Sequence, residues 1–206
     1  MTKAHDEDQS ARRVTRSHGP PDARRFRDTI GLFATGVAVV VARAELGGPT
    51  GHSEVLAMTV NAVSSVSLEP MLVMFCPGKK SKLARHIAGL SGFTINVLRH
   101  DQQALSTYFA GGWKEATPPP FRLVPSHCAP RLEGSLASIG CEPHQVIEVG
   151  DHWMVIGEVK ELHTGIHPHR PLLFVGGRYR HVDSADSTPA PDLTNVHDEP
   201  AHIYYD

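Results

Sequence analysis

Only three cysteines occur in the 206 residues, Cys76, Cys128 and Cys141, and no two form a CxxC pair. So sparse and odd a set excludes a disulfide framework and fits a reducing cytoplasm. Charge of neither sign is in excess. The 20 Lys and Arg stand against 22 Asp and Glu for a net charge of −2, so no basic field marks a nucleic-acid or membrane-surface binder. No apolar run approaches the ~20 residues needed to cross a bilayer. The polar N-terminus carries no signal-peptide core. A GxGxxG motif after a first strand and a P-loop are both missing, which argues against a Rossmann dinucleotide site and a Walker-type phosphate site. Internal repeats are absent too. What remains is a cytoplasmic protein with one domain of about 150 residues plus tails.

The chain divides into three parts. Residues 1–23 are charged, contain Gly19-Pro20-Pro21 and lack periodicity, so a flexible arm is expected. Residues 24–182 form the body. Residues 183–206 are acidic, lack Lys and Arg, and should be mostly irregular. Phe26, Ile30 and Phe33 predict a helix over 24–33, ended by Thr35-Gly36. Val37–Ala42 is a β-branched strand, Gly47–Gly51 a turn, and a hairpin partner resumes near Val55. Met71–Phe75 does not alternate and reads as a strand buried on both faces. Ser81 is a good N-cap for a helix over 82–90, which Gly89 to Gly92 break before strand Phe93–Leu98. Asp101 is expected to cap a helix bearing Leu105, Tyr108 and Phe109. The prolines at 118–120 force an extended loop. Strands follow at 135–139, 145–149, 152–162 and 172–175, with turns at Gly134, Glu142-Pro143, Gly150-Asp151, Gly165 and Gly176-Gly177. Many short strands with few short helices predict a mainly β fold, an antiparallel barrel.

The most informative stretch is Ala57–Pro77. Where a plain core strand carries Val, Ile and Leu, this one carries Thr59, Asn61, Ser64, Ser65 and Ser67. Small residues let a ligand approach the backbone, and these side chains add donors and acceptors. That composition suits the wall of a ligand pocket. Cys76, Pro77 and Gly78 end the next strand, and Ser81 with Lys82 opens a helix, an arrangement suited to phosphate. A capped helix with solvated Lys79, Lys80 and Lys82 accounts for the same residues. His163, His167 and His169 lack a fourth ligand at a recognised spacing, so no metal site is expected. Cys76 and Cys141 lie in or beside apolar strands and should be inert.

Phe33–Val40, Met58–Pro70, Phe93–Leu98, Glu133–Leu136, Gly150–His152 and Pro171–Phe174 with Gly177–Tyr179 fall in one order. Together they resemble the short-chain flavin reductases, the small partners of two-component flavin-dependent monooxygenases, similar to the reductase of 4-hydroxyphenylacetate monooxygenase. The resemblance implies an FMN-binding split β-barrel with Greek-key-like connections, usually a homodimer. It implies hydride transfer from NADH, or NADPH, to FAD or FMN, and delivery of reduced flavin to a partner monooxygenase. Met58, Thr59, Asn61 and Ala62 match the flavin-lining segment; Cys76, Pro77, Gly78, Ser81 and Lys82 are the candidates for its phosphate end, a contact that Lys79 or Lys80 could equally carry. His152 matches the nicotinamide side, as the one catalytic candidate, and Arg178 and Tyr179 the mouth. Ala57 stands where Gly is usual, and Met71 follows Pro70 where a second Pro is common. Two other readings stay open: a flavin-retaining oxidoreductase of the pyridoxamine-phosphate-oxidase-like type, and a non-enzymatic flavin- or haem-binding module.

Overall fold

A computed structural model describes residues 19–45, 53–165 and 170–182. The arm up to residue 18, the turn expected over 47–51, His167, His169 and the tail from 183 lie outside them. Helix α1 (Ala23–Ile30) starts at Asp22, whose Oδ1 accepts the amides of Arg24 and Arg25, each at 2.9 Å. The chain continues through β1 (Thr35–Gly36), β2 (Ala38–Glu45), β3 (Ser53–Val60), β4 (Val63–Leu68) and β5 (Met71–Phe75). A 3₁₀ segment, Leu83–Gly89, leads to β6 (Leu90–Val97), and a second, His100–Gln102, leads into α2 (Gln103–Phe109). Short β7 (Leu123–Val124) and β8 (Arg131–Leu132) precede two hairpins, β9 (Ala137–Val149) with β10 (His152–Thr164), and β11 (Leu172–Val175) with β12 (Arg178–His181).

Seven strands form one antiparallel sheet in the order β3-β2-β6-β9-β10-β5-β4. β1, β11 and β12 make a second sheet, and β7 pairs with β8. The fold is mainly β and antiparallel, as predicted. β3 and β4 are the sheet's edges, and no ladder joins them among the described residues. The unbroken Val39-Val-Val41 run is explained by burial on both faces. Val40 and Ala42 pack with Phe75, Phe93, Ile95 and Val155, whereas Val39 and Val41 pack with Leu98, Leu132 and Leu172. Close approach demands two glycines. A Cβ on Gly92 would lie 2.2 Å from the Cys128 carbonyl oxygen, and one on Gly157 would lie 2.3 Å from the Phe93 ring. Gly176 and Gly177, with φ of +59° and +73°, make the tight turn of the last hairpin.

Several boundaries differ from the sequence reading, each for a physical reason. The helix expected over 82–90 is a 3₁₀ segment, and Leu90 already belongs to β6, because Gly92 can stay extended beneath the Cys128 backbone. Asp101 does not cap α2; its carboxylate is held by Arg99, at 2.9 and 3.0 Å. Glu142-Pro143 is no turn but part of a 13-residue β9. Pro143 is tolerated there because the β6 ladder ends at Cys141, and the β9–β10 register shifts beside Gly157. β5 is buried at Val73 and Phe75, only half-buried at Leu72 and Met74 on its other face, and open at its start, where Met71 is 50% exposed. The helix expected from Phe26, Ile30 and Phe33 is present, yet these side chains are 66%, 54% and 72% exposed.

One buried amide holds the upper layer to the sheet. Asn96, on β6, is fully buried; its Nδ2 donates to the Val39 carbonyl at 3.0 Å. Its Oδ1 accepts the Leu132 amide at 2.9 Å and the Ser138 hydroxyl at 2.8 Å. Replacing Asn96 by Ala strands these partners in a dry interior. Asn96→Ala is expected to lower unfolding free energy by about 2–4 kcal/mol, seen in urea denaturation as a lower midpoint at unchanged slope.

Candidate active site

The edge position of β3 decides what its residues can do. An edge strand leaves the N–H and C=O groups of alternate residues without a ladder partner. Beside that edge lies a cavity of about 640 Å³, a size within the range of small-molecule sites. Met58 and Thr59 form one wall, Ser81 and Lys82 a second, and Tyr108, Phe109 and Phe121 an aromatic third. The rings of Tyr108, Phe109 and Phe121 pack mutually, with centroids 5.0 to 5.8 Å apart.

Local bonds fix these walls. Thr59 Oγ1 donates to the Ser106 carbonyl at 2.6 Å, and the Ser106 hydroxyl meets the Tyr179 hydroxyl at 2.8 Å. Thr59 thereby joins β3 to α2 and to the last hairpin. Asn61 Nδ2 donates to Thr35 Oγ1 at 3.3 Å, and the Ala62 carbonyl accepts the Cys76 amide at 3.2 Å. Ser81 Oγ accepts the Ala84 amide at 3.2 Å, so it caps the 3₁₀ segment as expected. Of the nearby lysines, Lys79 is paired with Glu148 and lies 5.8 Å from the Trp153 ring, whereas Lys82 makes no ion pair among the described residues and faces the cavity.

His152 is not in the cavity's lining but is joined to its Ser81 wall through Gly78, whose carbonyl accepts the Ser81 amide at 2.9 Å. It begins β10, bridges to Gly78, and leaves its Nε2 3.6 Å from where a Gly78 Cβ would be. The Trp153 amide donates to the Pro77 carbonyl and the Lys79 amide to the Asp151 carbonyl, both at 3.0 Å. These bonds bring Pro77 and Gly78 to His152. Its Nδ1 is 2.7 Å from Asp151 Oδ1, and this hydrogen bond holds the Asp151 carboxyl below the usual range. The imidazole is half exposed, with Nε2 free to meet a ligand. The site residues thus fall into two groups, around the β3 cavity and around His152. Tyr179 belongs to the first through Ser106, and Arg178 is exposed at the turn of its hairpin.

Sequence reasoning missed Ser106 and the aromatic wall. Tyr108 and Phe109 read as helix core, and only the following proline run hinted that Phe121 would be carried back over α2. Among the described residues no three His, Cys, Asp or Glu side chains gather as metal ligands, and His163 Nε2 is held by Glu161 at 2.6 Å.

Residues 30–183 match the family model described as the flavin reductase like domain. The chain is 35% identical over 179 residues to the reductase subunit HsaB of a flavin-dependent monooxygenase from Rhodococcus jostii (strain RHA1), covering 82% of this chain and 83% of that one. It is 36% identical to the reductase component of 4-hydroxyphenylacetate 3-monooxygenase from Thermus thermophilus, over 76% of this chain and 95% of the relative. Among solved structures, an NADH:FAD oxidoreductase of Streptomyces globisporus C-1027, in complex with NAD and FAD fragments, superposes with a TM-score of 0.67 at 30% identity, covering 81% of this chain and 96% of that one.

All three thiols are free, and burial raises each above the ordinary cysteine value, that of Cys141 up to about 12. The native protein at pH 8 should therefore react slowly with a thiol reagent at the half-buried Cys76 and spare Cys128 and Cys141, with all three reacting once it is denatured. A colorimetric thiol titration checks this.

Proposed function

The chain belongs to the flavin reductase like family, and from that premise we propose how its residues serve an NAD(P)H-dependent flavin reductase supplying reduced FAD or FMN to a partner monooxygenase. The observation that carries this reading is the cavity at the open β3 edge. It offers unpaired backbone groups on one side, aromatic faces on another and the unpaired Lys82 at one end. Such a set suits a flat, amide-edged ring bearing a phosphate. Bound flavin supplies the hydride-accepting chemistry, taking hydride from nicotinamide at its N5. The protein's part is to hold, orient and keep water out.

Met58, Thr59, Asn61 and Ala62 hold the polar edge of the ring, chiefly through backbone groups. Ser81 and Lys82, beside Cys76, Pro77 and Gly78, take the phosphate end. His152 positions the nicotinamide, its Nε2 donating to or stacking on the carboxamide while Asp151 fixes the ring through Nδ1. Arg178 and Tyr179 edge the mouth. Residues 24–182 are the functional domain, with 1–23 and 183–206 as tails, and the three free thiols suit a reducing cytoplasm. The working unit is a homodimer, in which the open sheet completes a split barrel. Support for a second copy comes from the apolar stripe Phe26, Ile30 and Phe33, which no part of the described chain covers.

NADH oxidation should saturate in both NADH and added FAD or FMN, and absence of turnover with any flavin and either nicotinamide would sink the reading. His152→Ala is expected to raise KM for NADH roughly tenfold, the equivalent of one hydrogen bond, with flavin affinity unchanged. Lys82→Ala should weaken FMN binding roughly tenfold yet leave riboflavin, which has no phosphate, unaffected. In sedimentation the protein should run as a dimer, and Phe33→Glu should yield monomer; a wild-type monomer at micromolar concentration overturns the dimer.

A further inference from the structure

A second cavity, of about 440 Å³, opens on the far side of the main sheet's upper layer, between β8 and the end of β10. Arg131, Ser135, Ser138, His163 and Thr164 line it, together with two glycines and Leu162, and no carboxylate does among the described residues. Arg131 is the unusual member. Its side chain is partly buried, with an Nε that is shut off from solvent and finds no hydrogen-bond partner among the described residues. A buried orphan donor is rare in native proteins, and a cation without counter-charge in a cavity is costly unless something fills it.

The surroundings fix the backbone on both sides of Arg131 and engage the nearby acid elsewhere. On one side of Arg131, Thr94 Oγ1 donates to the Pro130 carbonyl at 2.7 Å; on the other, the Leu132 amide donates to Asn96 Oδ1. The nearest acid in sequence on β10, Glu161, is committed to Ser126, to the His127 amide and to His163. The Ser135 and Ser138 hydroxyls are engaged with each other, with the Leu132 carbonyl and with Asn96, so they form a polar wall. Thr164 makes no hydrogen bond through its side chain among the described residues and adds a donor.

This cavity is not the one at β3. Thr59, Val39, Asn96, Ser138 and His163 face one another in register across five strands. Four strand spacings of about 4.8 Å separate Thr59 from His163 by ~19 Å. We propose that the Arg131 cavity binds an oxyanion, a phosphate or carboxylate group gripped by the guanidinium fork with Thr164 as second donor.

The test is isothermal titration of the full chain with inorganic phosphate, citrate and ADP at constant ionic strength. In a Lys82→Ala background, which removes the phosphate contact proposed at the β3 cavity, the protein is expected to bind at least one of them, and Arg131→Gln added to that background to weaken that binding at least about tenfold. ADP exceeding phosphate through Arg131 would assign the oxyanion to a nucleotide; phosphate or citrate sufficing would assign it to a free anion. Either supports the site. Absence of binding to the Lys82→Ala protein, or equal binding once Arg131→Gln is added, overturns it. Should Arg131→Gln fail the thiol-titration check of folding, Arg131→Lys, which keeps charge but loses the fork, replaces it, and unchanged affinity in that variant counts against the proposal.

Discussion

The buried Asn96 amide is the contact on which the rest of this structure depends. A neutral amide in a dry interior is stable only when every donor and acceptor is met. Asn96 meets them by reaching β2 on one side and the Leu132 amide and Ser138 hydroxyl on the other. The segment so fixed presents the Gly134 carbonyl to Arg99 and Gln102, at 2.8 and 3.1 Å, just before α2. α2 then carries Ser106 to Thr59 and Tyr179. A single chain of polar contacts runs from the middle of the sheet to its open edge.

That edge is where fold turns into function. A sheet that left β3 paired on both sides would have no free backbone to offer a flat heterocycle. Leaving it open exposes a row of polar groups, which invites aggregation unless covered. Here α2, the Ser81–Leu83 turn and Phe121 cover part of it and shape the remainder into a cavity. The His152 corner is built by the hairpin turn at Gly150-Asp151 and by Gly78 just after β5, so the proposed flavin and nicotinamide contacts come from different elements.

Much of this was legible in the residues. Period-two patterns, glycine turns and the β-branched Val37–Ala42 run located most strands, and the odd composition of Ala57–Pro70 marked a stretch whose first residues line the β3 cavity. Continuity was less legible: Pro143 looks like a break, and only the ladder's end at Cys141 shows why a strand passes through it. Ser106 could not be found because its role arises from a contact across 47 residues of chain, which leaves no local pattern, and Phe121 was marked only by the proline run before it. Arg131 gave no sign at all; its interest lies in an Nε that finds no partner among the described residues.

Helix α1 has a consequence for how this protein behaves when scarce. Its own cap is complete, but none of its residues is buried in the chain, and the Gly176 amide bonded to the Gly31 carbonyl at 2.7 Å moors its end. Whatever the apolar stripe gains by burial must come from outside the described residues. In the proposed dimer that gain enters through mass action, so dilution would erode stability even when temperature and solvent are unchanged. The helix would then make the fold's robustness a property of the population of molecules as well as of each one.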